Sequence, residues 1–353
     1  MPKRRSRGSR SVSAKAAVTV TGAGSLFGQG IIKCLRMDDL PVQILGLDYF
    51  KDAIGFEWCD GAGLLPDLLH PQVSEDAWFA DLCRQVSSAG SRVLFVGADF
   101  ELIPLATRAQ ELIDRTGCRA IVSSRGVIDV CKDKHRTAQW LAEINEPTPE
   151  SFLPDSSVEA MEDAIGYPMI VKPRFGSRSR GVVRVADRAQ LERAVLETEA
   201  PVVQRFLPGE DMEYSCGVVT FDGRVDTVAV LRRRLKDGNT ISAVSDEPSP
   251  GIEALCRRVG EALKPLGPIN IQLRLVEDTP YIFEINPRFS GTTIFRAHLG
   301  INEPARVLRH ALNLRLTVPP KLRKGRVRRY FDEIVDQPVQ ALRQVPELIS
   351  GAP

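Results

Sequence analysis

The sequence lacks the residue spacing of a disulfide-bonded or zinc-binding protein. Its seven cysteines lie far apart with no CxxC pair, and its four histidines form no zinc constellation. An odd number of scattered cysteines is typical of reduced, mostly buried thiols. We therefore expect a cytoplasmic protein without a disulfide framework or a structural zinc site.

Long apolar runs are also missing, as are acidic residues near the start. No uncharged stretch approaches the roughly 18 residues that a membrane helix needs, so no membrane placement is expected. The first fifteen residues hold six basic side chains and no acid, with no apolar run after them to serve as an export signal. We predict that residues 1–14 form a disordered basic tail. The alternative, a nucleic-acid-binding arm, has no support from a basic stripe interleaved with aromatics, so no nucleic acid partner is expected.

The N-terminal third alternates short apolar runs with helical patterns. AVTVTGAGSLFGQGIIKCLR begins at Ala17, VQILGLDYF follows it, and SRVLFVGADFELIPLA and CRAIVSS supply two more strands. Such alternation predicts βαβ units around a parallel sheet. We place the end of this doubly wound domain near Ser124, where Ser124, Arg125 and Gly126 break the pattern, and predict the next helix near Asp129.

The rest of the chain has the pattern of antiparallel α+β construction. Short β runs such as YPMIVKP, APVVQRFL and EYSCGVVTFDGRVDTVAVL are separated by glycine, proline or brief helices. Asp222-Gly223 between two apolar runs predicts a tight hairpin, since glycine supplies the positive φ of such a turn. Residues 317–353 predict a strand and a short helix.

The segment GPINIQLRLVEDTPYIFEINPRFSG predicts a hairpin with one polar face. An odd-numbered loop centred on Asp278 gives three apolar pairs, Ile271 with Ile285, Leu273 with Phe283, and Leu275 with Tyr281. The same register places Gln272 opposite Glu284, with Asn286 one step further along. Three oxygen ligands at one end of a sheet suit Mg²⁺. A solvated polar face with an Asn-Pro turn is the alternative that spacing alone leaves open.

Two lysines and two loops favour the metal interpretation. Lys172 precedes the loop PRFGSRSRG, which contains Ser177 and whose backbone N–H groups and cations suit phosphate groups. Lys134 begins a helix in CKDKHRTAQWL. In VVQRFLPGEDMEYS, a strand and a glycine turn offer backbone contacts to an adenine and carboxylates to a ribose. Taken alone, each lysine would be expected at an ordinary solvated position.

In this order, the motifs DK, IVKPRFGSRSRG, VVQRFLPGEDMEY, INIQLRL and FEINPRFSG resemble those of the ATP-grasp superfamily. The similarity extends from about Ala17 to about Leu316. It is greatest to the synthetase modules of the carbamoyl-phosphate synthase large subunit and to related carboxylate-amine ligases. The resemblance implies an α/β plus α+β architecture: a Rossmann-like N-terminal domain (15–124), then a two-subdomain ATP-grasp fold (125–316, lid at about 135–205) and the extension 317–353.

The resemblance also implies an activity. It indicates an ATP-dependent ligase that phosphorylates a carboxylate to an acyl phosphate and couples it to an amine or ammonia, with release of ADP and phosphate. Gln272, Glu284 and Asn286 would hold Mg²⁺, with Mn²⁺ as an alternative. Arg288 and Lys172 would be catalytic, with Arg288 neutralising charge on the transferring phosphoryl group.

Further residues are implied as contacts to ATP. They are Lys134, Lys172, Ser177, Gln204, Phe206, Leu207, Glu210 and Glu213. Glu210 and Glu213 compete for the ribose because the turn GEDME is longer than the usual pattern. Glutamine at position 272 points to the branch that resembles carbamoyl-phosphate synthase, although only one synthetase module is present.

Two other classes stay open at this point. TGAGSLFGQG, with Asp48 as a ribose-binding acid, is compatible with an NAD(P)-dependent oxidoreductase. Its spacing is GxGxxxG, however, and an oxidoreductase would leave the metal hairpin and both lysines unexplained. A catalytically silent ATP-binding regulatory module would bind the nucleotide without turnover. The presence of all three predicted metal ligands argues against this class.

The identity of the substrates is not apparent from the motifs. We expect small-molecule carboxylate and amine substrates and allow for a homodimer. Position alone suggests as substrate contacts Asp99, Glu101, Arg174, Arg178, Ser290, Thr292, Thr293 and Arg296. Four basic residues on one strand and turn allow two interpretations: they contact a phosphate group or the acceptor substrate, or they lie on an exposed edge strand. They are Arg232, Arg233, Arg234 and Lys236.

Overall fold

The computed structural model describes residues 15–176, 180–246, 250–318 and 320–334. Within them the chain forms three sheets and the helices that cover them. The predicted basic tail and residues 335–353 lie outside the described residues. The short helix predicted at the end of PPKLRKGRVRRYFDEIVD was wrong over its described part, because residues 329–334 form no helix after the strand. No helix in the described part is long and apolar enough to cross a membrane.

The first sheet is parallel, as the alternating pattern predicts. Its strands are β1 (Ala16–Val20), β2 (Val42–Asp48), β3 (Gly61–Leu64), β4 (Val93–Phe95) and β5 (Arg119–Ile121). Their spatial order is β3-β2-β1-β4-β5. The helices between them are α1 (Leu26–Arg36), α2 (Glu75–Ser88), α3 (Leu102–Thr107) and α4 (Ala109–Thr116). A 3₁₀ turn, Ile54–Trp58, takes the place of a helix between β2 and β3.

Two helices follow the first sheet, α5 (Arg125–Lys132) and α6 (Lys134–Glu143). The prediction that the first of them begins near Asp129 was wrong, because Ser124 is its N-cap and Arg125 begins it. Serine is as favourable at an N-cap as in a loop, so the local pattern did not separate the two. The predicted start of α6 at Lys134 is confirmed. The Asp133 side chain caps this helix by accepting hydrogen bonds from backbone N–H groups of its first turn.

The second sheet has four antiparallel strands. They are β6 (Ser151–Phe152), β7 (Met169–Pro173), β8 (Val183–Val185) and β9 (Pro201–Arg205), in the order β6-β9-β7-β8. Helices α7 (Val158–Ile165) and α8 (Arg188–Glu197) pack against this sheet. Met161 and Leu191 of these helices share a buried cluster with Met169, Val171 and Val203 of the strands.

The third sheet is antiparallel and has six strands. They are β10 (Glu213–Phe221), β11 (Arg224–Lys236), β12 (Asn239–Ser245), β13 (Gly267–Val276), β14 (Thr279–Asn286) and β15 (Gly325–Arg328), in the order β14-β13-β10-β11-β12-β15. The helices of this region are α9 (Pro250–Leu263), α10 (Thr293–His298) and α11 (Glu303–Ala311). The predicted tight hairpin at Asp222-Gly223 is confirmed, with φ of 50° and 76° at the two residues. The strand predicted in the C-terminal extension is β15.

The hairpin of β13 and β14 follows the predicted register only in part. Ile271 pairs with Ile285 and Gln272 with Glu284, as predicted. The other two predicted pairs, Leu273 with Phe283 and Leu275 with Tyr281, were wrong: Leu273 pairs with Ile282 and Leu275 with Pro280.

The turn and a bulge together explain this register. The prediction of an odd-numbered loop centred on Asp278 was wrong, because the connecting turn has two residues, Glu277 and Asp278, with φ of 55° at Glu277. The register then shifts by one residue between Gln272 and Leu273, and this shift restores the predicted pairing of Gln272 with Glu284. A bulge inserts one unpaired residue into one strand, here Phe283, and hydrophobic alternation alone does not reveal it.

The first and third sheets share a hydrophobic core. Val18 of β1 and Ile31 of α1 lie in one cluster with Val219 of β10 and with Val307 and Leu308 of α11. Tight packing of these side chains holds the start of α1 in a fixed position relative to the third sheet.

A buried ion pair lies between the third sheet and the helices that follow it. Arg296 Nε of α10 is 2.8 Å from Glu303 Oε1 of α11, and each side chain is 1% exposed. Gly217 of β10 faces this pair. A Cβ added at Gly217 would lie 1.9 Å from Glu303 Oε1 and 2.5 Å from Arg296 Nε.

We predict that Gly217→Ala lowers the free energy of unfolding by about 3–5 kcal/mol, because it separates a buried ion pair. Urea denaturation measures this change. The matched control is Gly30→Ala in α1, where an added Cβ meets nothing within 4 Å. That substitution should raise stability by about 0.5–1 kcal/mol. An unchanged denaturation midpoint for Gly217→Ala would show that the pair does not constrain this strand.

Candidate active site

A cleft with a volume of about 200 Å³, partly open to solvent, lies between the second and third sheets. Its walls come from β7 and β9 on one side and from β13 and β14 on the other, with α6 at its edge. It brings together predicted site residues from distant parts of the sequence: Lys134, Lys172, Gln204, Leu207, Glu213, Gln272 and Glu284.

Both predicted lysines are buried at this cleft, with exposed fractions of 9% for Lys134 and 7% for Lys172. Lys134 Nζ donates to the carbonyl oxygen of Gly176 over 3.0 Å. Burial lowers the pKa of Lys172 to about 8, an effect that the Glu284 carboxylate opposes and Lys134 reinforces. Within the described residues neither lysine has a carboxylate at ion-pair distance. The cleft therefore holds two poorly compensated positive charges.

The three predicted metal ligands converge at the end of the β13–β14 hairpin. Asn286 Nδ2 donates to Glu284 Oε1 over 2.9 Å, and Gln272 Nε2 lies 3.5 Å from the same oxygen. One carboxylate with two amide oxygens fits Mg²⁺, which takes few protein oxygens when nucleotide phosphates complete its coordination. Groups of three or more His, Cys, Asp or Glu that could hold a metal are absent from the described residues. A metal ion held by this group would therefore need the two amide oxygens as ligands beside the Glu284 carboxylate.

Two arginines orient the amide oxygens of this group. Gln272 Oε1 accepts a hydrogen bond from Arg233 Nη2 over 2.6 Å, and Asn286 Oδ1 accepts one from Arg288 Nη2 over 3.1 Å. In each amide, the oxygen faces an arginine and the nitrogen faces the Glu284 carboxylate, so the charged neighbours determine the orientation of the amide.

Glu213 is anchored in the wall of the cleft. Its Oε1 accepts from Arg233 Nη2 over 2.7 Å, and its Oε2 accepts from Arg274 Nη2 over 2.6 Å. Burial opposes ionisation, but the two arginines hold the pKa of Glu213 below its usual range. Its competitor Glu210 begins the 3₁₀ turn Glu210–Met212, and its side chain lies outside what the structure describes. The ribose contact stays a prediction.

The segment predicted to contact an adenine contributes Gln204, Arg205 and Leu207 to the cleft. Gln204 is 2% exposed and donates to Ser151 Oγ over 2.7 Å. Leu207 also lines the cleft, and its carbonyl oxygen accepts from Arg274. Phe206 is not part of the lining; its ring lies 4.3 Å from the Arg184 guanidinium. The predicted phosphate contact Ser177 and the nearby Arg178 lie outside the described residues.

A smaller polar compartment adjoins the cleft and shares Gln272 and Glu284 with it. It lies between the start of α1 and the third sheet, and its lining includes Leu26, Phe27, Ser215, Asn270, Arg288, Ser290, Thr292 and Arg329. The hydroxyl groups of Ser215, Thr292 and Ser290 are hydrogen-bonded in a chain over 2.9 and 2.8 Å. Hydroxyls and amides thus dominate this compartment.

Arg288 reaches this compartment in a fixed orientation. Its Nε donates to Asp99 Oδ1 over 2.8 Å, and its guanidinium lies 4.0 Å from the centre of the Phe27 ring. Asp99, suggested by position as a substrate contact, is therefore an orienting partner of Arg288.

Other residues suggested by position serve the fold. Arg296 is buried in the pair with Glu303, so it does not meet a ligand directly. Glu101 is fully buried, and it accepts hydrogen bonds from Tyr49 Oη and Thr21 Oγ1; burial raises its pKa to about 7. Two further arginines form ion pairs, Arg174 with Asp133 and Arg232 with Asp246.

The glycine-rich loop after β1 is filled by the protein itself. Asp48 Oδ2 accepts from the backbone N–H of Gly24 over 2.7 Å, and Ser25 Oγ caps α1. Gly55 packs so closely on this loop that a Cβ there would lie 2.0 Å from the carbonyl oxygen of Ala23. The acid and the helix N-terminus that would receive a dinucleotide thus have partners within the chain.

Sequence reasoning missed four contributors to these two compartments. They are Arg274, the pairing of Arg233 with Glu213, the pairing of Asp99 with Arg288, and Arg329. Arg274 carried a local signal, because it alternates with Gln272 on the same strand face. The others depend on partners that are remote in the sequence.

Comparison with known proteins identifies the class. Residues 197–333 match a family described as ATP-grasp in the biosynthetic pathway with Ter operon. The carbamoyl phosphate synthase large chain of Archaeoglobus fulgidus is 29% identical over 205 residues, which are 53% of this chain and 19% of that protein. This chain therefore spans about a fifth of the length of that relative.

Two solved structures resemble the whole fold. N5-carboxyaminoimidazole synthetase from Staphylococcus aureus, complexed with ADP, has a TM-score of 0.68 and 15% identity, covering 87% of this chain and 80% of that chain. The biotin carboxylase domain dimer of Hydrogenobacter thermophilus 2-oxoglutarate carboxylase, with MgADP, ADP and bicarbonate, has a TM-score of 0.67 and 16% identity, covering 88% and 73%.

The chain therefore has an ATP-grasp fold, and the predicted resemblance to ATP-grasp ligases is confirmed. In sequence, the carbamoyl phosphate synthase large chain is one of the proteins to which this chain is similar.

We predict that Lys172 titrates near pH 8 in the ligand-free protein, well below the value of about 10.4 in an unfolded chain. Between these pH values the unfolded chain holds the proton and the folded protein does not, so stability gains from this group as pH rises. NMR of the lysine ε-carbons measures the titration, and Lys172→Arg identifies the signal by its loss. Glu284→Gln should lower the pKa further, since the carboxylate raises it. A signal titrating near 10.4 would contradict the burial of the ammonium group.

Proposed function

We propose that the protein is an ADP-forming ligase that phosphorylates a carboxylate with ATP and joins the acyl phosphate to an amine or ammonia. The observation that carries this proposal is the convergence of two buried lysines with Gln272 and Glu284 at one cleft, where Asn286 is hydrogen-bonded to Glu284. Uncompensated cations suit nucleotide phosphates, and the oxygen ligands suit a divalent metal.

We divide the chain accordingly. Residues 15–124 form a Rossmann-like domain, 125–316 form the ATP-grasp domain with a lid at about 135–205, and 317–353 form an extension. The second sheet, which ends at Arg205, supports the lid boundary. β15 of the extension pairs with β12, which supports a role for the extension in completing the third sheet.

The two lysines and the group formed by Gln272, Glu284 and Asn286 have proposed roles. Gln272, Glu284 and Asn286 hold Mg²⁺, and the same oxygen ligands suit Mn²⁺. Bound there, the metal supplies charge neutralisation and orientation for the nucleotide phosphates. Lys134 and Lys172 donate to phosphate oxygens as point charges.

The second compartment is proposed to receive the carboxylate. It shares Glu284 and Gln272 with the cleft, so a carboxylate in it lies next to the terminal phosphate of a nucleotide in the cleft. One carboxylate oxygen bonds to the γ-phosphorus as ADP leaves. The nucleophile then bonds to the carbonyl carbon, and phosphate leaves with that oxygen. Arg288, oriented by Asp99, stabilises the charge on the transferred group.

The two rival functions have less support. An NAD(P)-dependent oxidoreductase would need the glycine-loop positions that Gly55 and Asp48 already engage. A silent ATP-binding module would not need the carboxylate and two amides of the metal group to be kept together. A homodimer is proposed because the biotin carboxylase structure is of a dimer. The cytoplasmic location stays a prediction.

We predict that Glu284→Gln lowers the rate of carboxylate-dependent ADP release by about 10²–10³-fold, because the only carboxylate of the proposed metal group among the described residues is lost. The variant should unfold at a similar temperature, since Glu284 lies at the cleft. Glu277→Gln, in the exposed turn of the same hairpin, is the matched control and should keep wild-type activity. Wild-type ADP release by Glu284→Gln at saturating Mg²⁺ would show the metal assignment to be wrong.

We also predict the fate of one oxygen atom. With a carboxylate labelled with ¹⁸O, mass spectrometry should find the label in released phosphate in proportion to ligated product. The nucleotide product should be ADP. Unlabelled phosphate alongside stoichiometric product would overturn the acyl-phosphate mechanism, and AMP would indicate an adenylating enzyme.

A further inference from the structure

The second compartment contains an arginine that the proposed mechanism does not use. Arg329 follows β15 and lines the compartment. Its Nη1 donates to the carbonyl oxygen of Thr240 over 2.9 Å, and its Nη2 donates to that of Gly291 over 2.6 Å. Across the described chain no carboxylate pairs with it, whereas Arg288 and Arg233 of the same compartment are both paired.

The guanidinium of Arg329 is nevertheless held in place. Its backbone N–H donates to the carbonyl oxygen of Ile241 over 2.8 Å, and its guanidinium lies 4.9 Å from the centre of the Phe295 ring. A guanidinium has five N–H donors, and the two carbonyl bonds use only two of them. Donors therefore remain, in a fixed planar group of the kind that binds carboxylate or phosphate in two-bond geometry.

A second positive charge lies near this group. Burial and the charge of Arg329 lower the pKa of Lys33 on α1, and burial lowers the pKa of Arg329 itself. A half-buried cation next to another cation is costly without an anion, because the two carbonyl groups replace only part of its lost hydration. An anionic ligand group would remove that cost.

Arg329 and Glu284 lie at different positions in the compartment, so they would contact different parts of one ligand. The proposed metal group is at Glu284, where the reacting carboxylate must lie, whereas Arg329 is fixed to Gly291 and Thr240. Both Glu284 and Arg329 line the same compartment. Leu26 and Phe27 of its wall offer apolar surface to a short carbon chain between two such groups.

We propose that the carboxylate substrate carries a second anionic group, a carboxylate or a phosphate, and that Arg329 binds it. This inference rests on the proposed function and adds the substrate class, a small acid with two anionic ends. The end at Glu284 is phosphorylated, and the end at Arg329 stays unreacted and sets specificity.

The test compares acids that differ only in the second charge. Malonate, succinate and glutarate are each paired with their monoamide, and 3-phosphonopropionate represents a phosphate-like end. Thermal unfolding is measured with Mg²⁺ and a non-hydrolysable ATP analogue, and ADP release is measured with ATP and ammonia. At least one dianion should raise the unfolding midpoint of the wild-type protein more than its monoamide does. Comparing the shifts produced by the dicarboxylates with the shift produced by 3-phosphonopropionate then shows whether the second anionic group is a carboxylate or a phosphate.

Variants assign this effect to Arg329. Arg329→Gln should remove the preference for the dianion and raise its KM about tenfold or more, because a charge-assisted pair is lost. The KM for ATP should stay within about twofold. Arg328→Gln, an exposed neighbour on β15, is the matched control and should behave as the wild type. Unfolding midpoints without ligand separate lost binding from lost stability.

Each outcome bears on one of the two proposals. If no dianion exceeds its monoamide, or if Arg329→Gln responds as the wild type does, Arg329 is not a substrate-binding residue. ADP release that depends on an acid but not on Arg329 would keep the ligase function and overturn this inference. Dianion binding through Arg329 without ADP release from any acid would keep the anion site and overturn the ligase function.

Discussion

The pairing of Gln272 with Glu284 across β13 and β14 places polar groups at the cleft, and both compartments depend on it. The adjacent pair, Ile271 and Ile285, is fully buried on the opposite face. A slip of one residue would bury Glu284 and expose the isoleucines, because side chains alternate between the faces of a strand. An unpaired buried carboxylate costs several kcal/mol. Apolar burial on one face thus maintains the register that the polar face needs.

The bulge beside this pair adds an apolar wall to the charged site. Because the register shifts between Gln272 and Leu273, Phe283 is unpaired, and it lines the cleft next to Glu284. Its ring centre lies 5.7 Å from Lys172 Nζ. An aromatic wall excludes water from the ammonium group, which is consistent with burial as the main cause of the lowered pKa of Lys172.

Acidic partners compensate most arginines around the two compartments. Glu213 holds two of them, Arg233 and Arg274, while Asp99 holds Arg288. These pairs fix side-chain positions without leaving a large net charge. Four cations that line a compartment lack such a partner within the described chain: the buried Lys134 and Lys172, the half-buried Arg329 and the exposed Arg180. Uncompensated positive charge therefore concentrates where anionic ligands are proposed to bind, and it favours their association.

The amino-acid sequence by itself determined the features that arise between near neighbours. The Asp222-Gly223 hairpin and the start of α6 at Lys134 follow from turn or capping chemistry within a few residues. The parallel first sheet was predicted from the alternation of strand and helix patterns. Alternation of apolar and polar residues also predicted the face that Gln272 and Glu284 share, although the loop between them was predicted wrongly. The five sequence motifs, taken in their order along the chain, were enough to indicate the ATP-grasp class. Their order and spacing are typical of that fold.

Only the tertiary structure decided which charges are neutralised and which stay available. Asp99 meets Arg288 and Arg329 reaches Gly291 across long stretches of sequence, so no local pattern contains either contact. The β13–β14 bulge and the helix start at Arg125 were missed because competing local conformations differ by little free energy and packing selects between them. Side-chain direction depends on the neighbours that fill the surrounding space, and these neighbours come together only when the sheets pack.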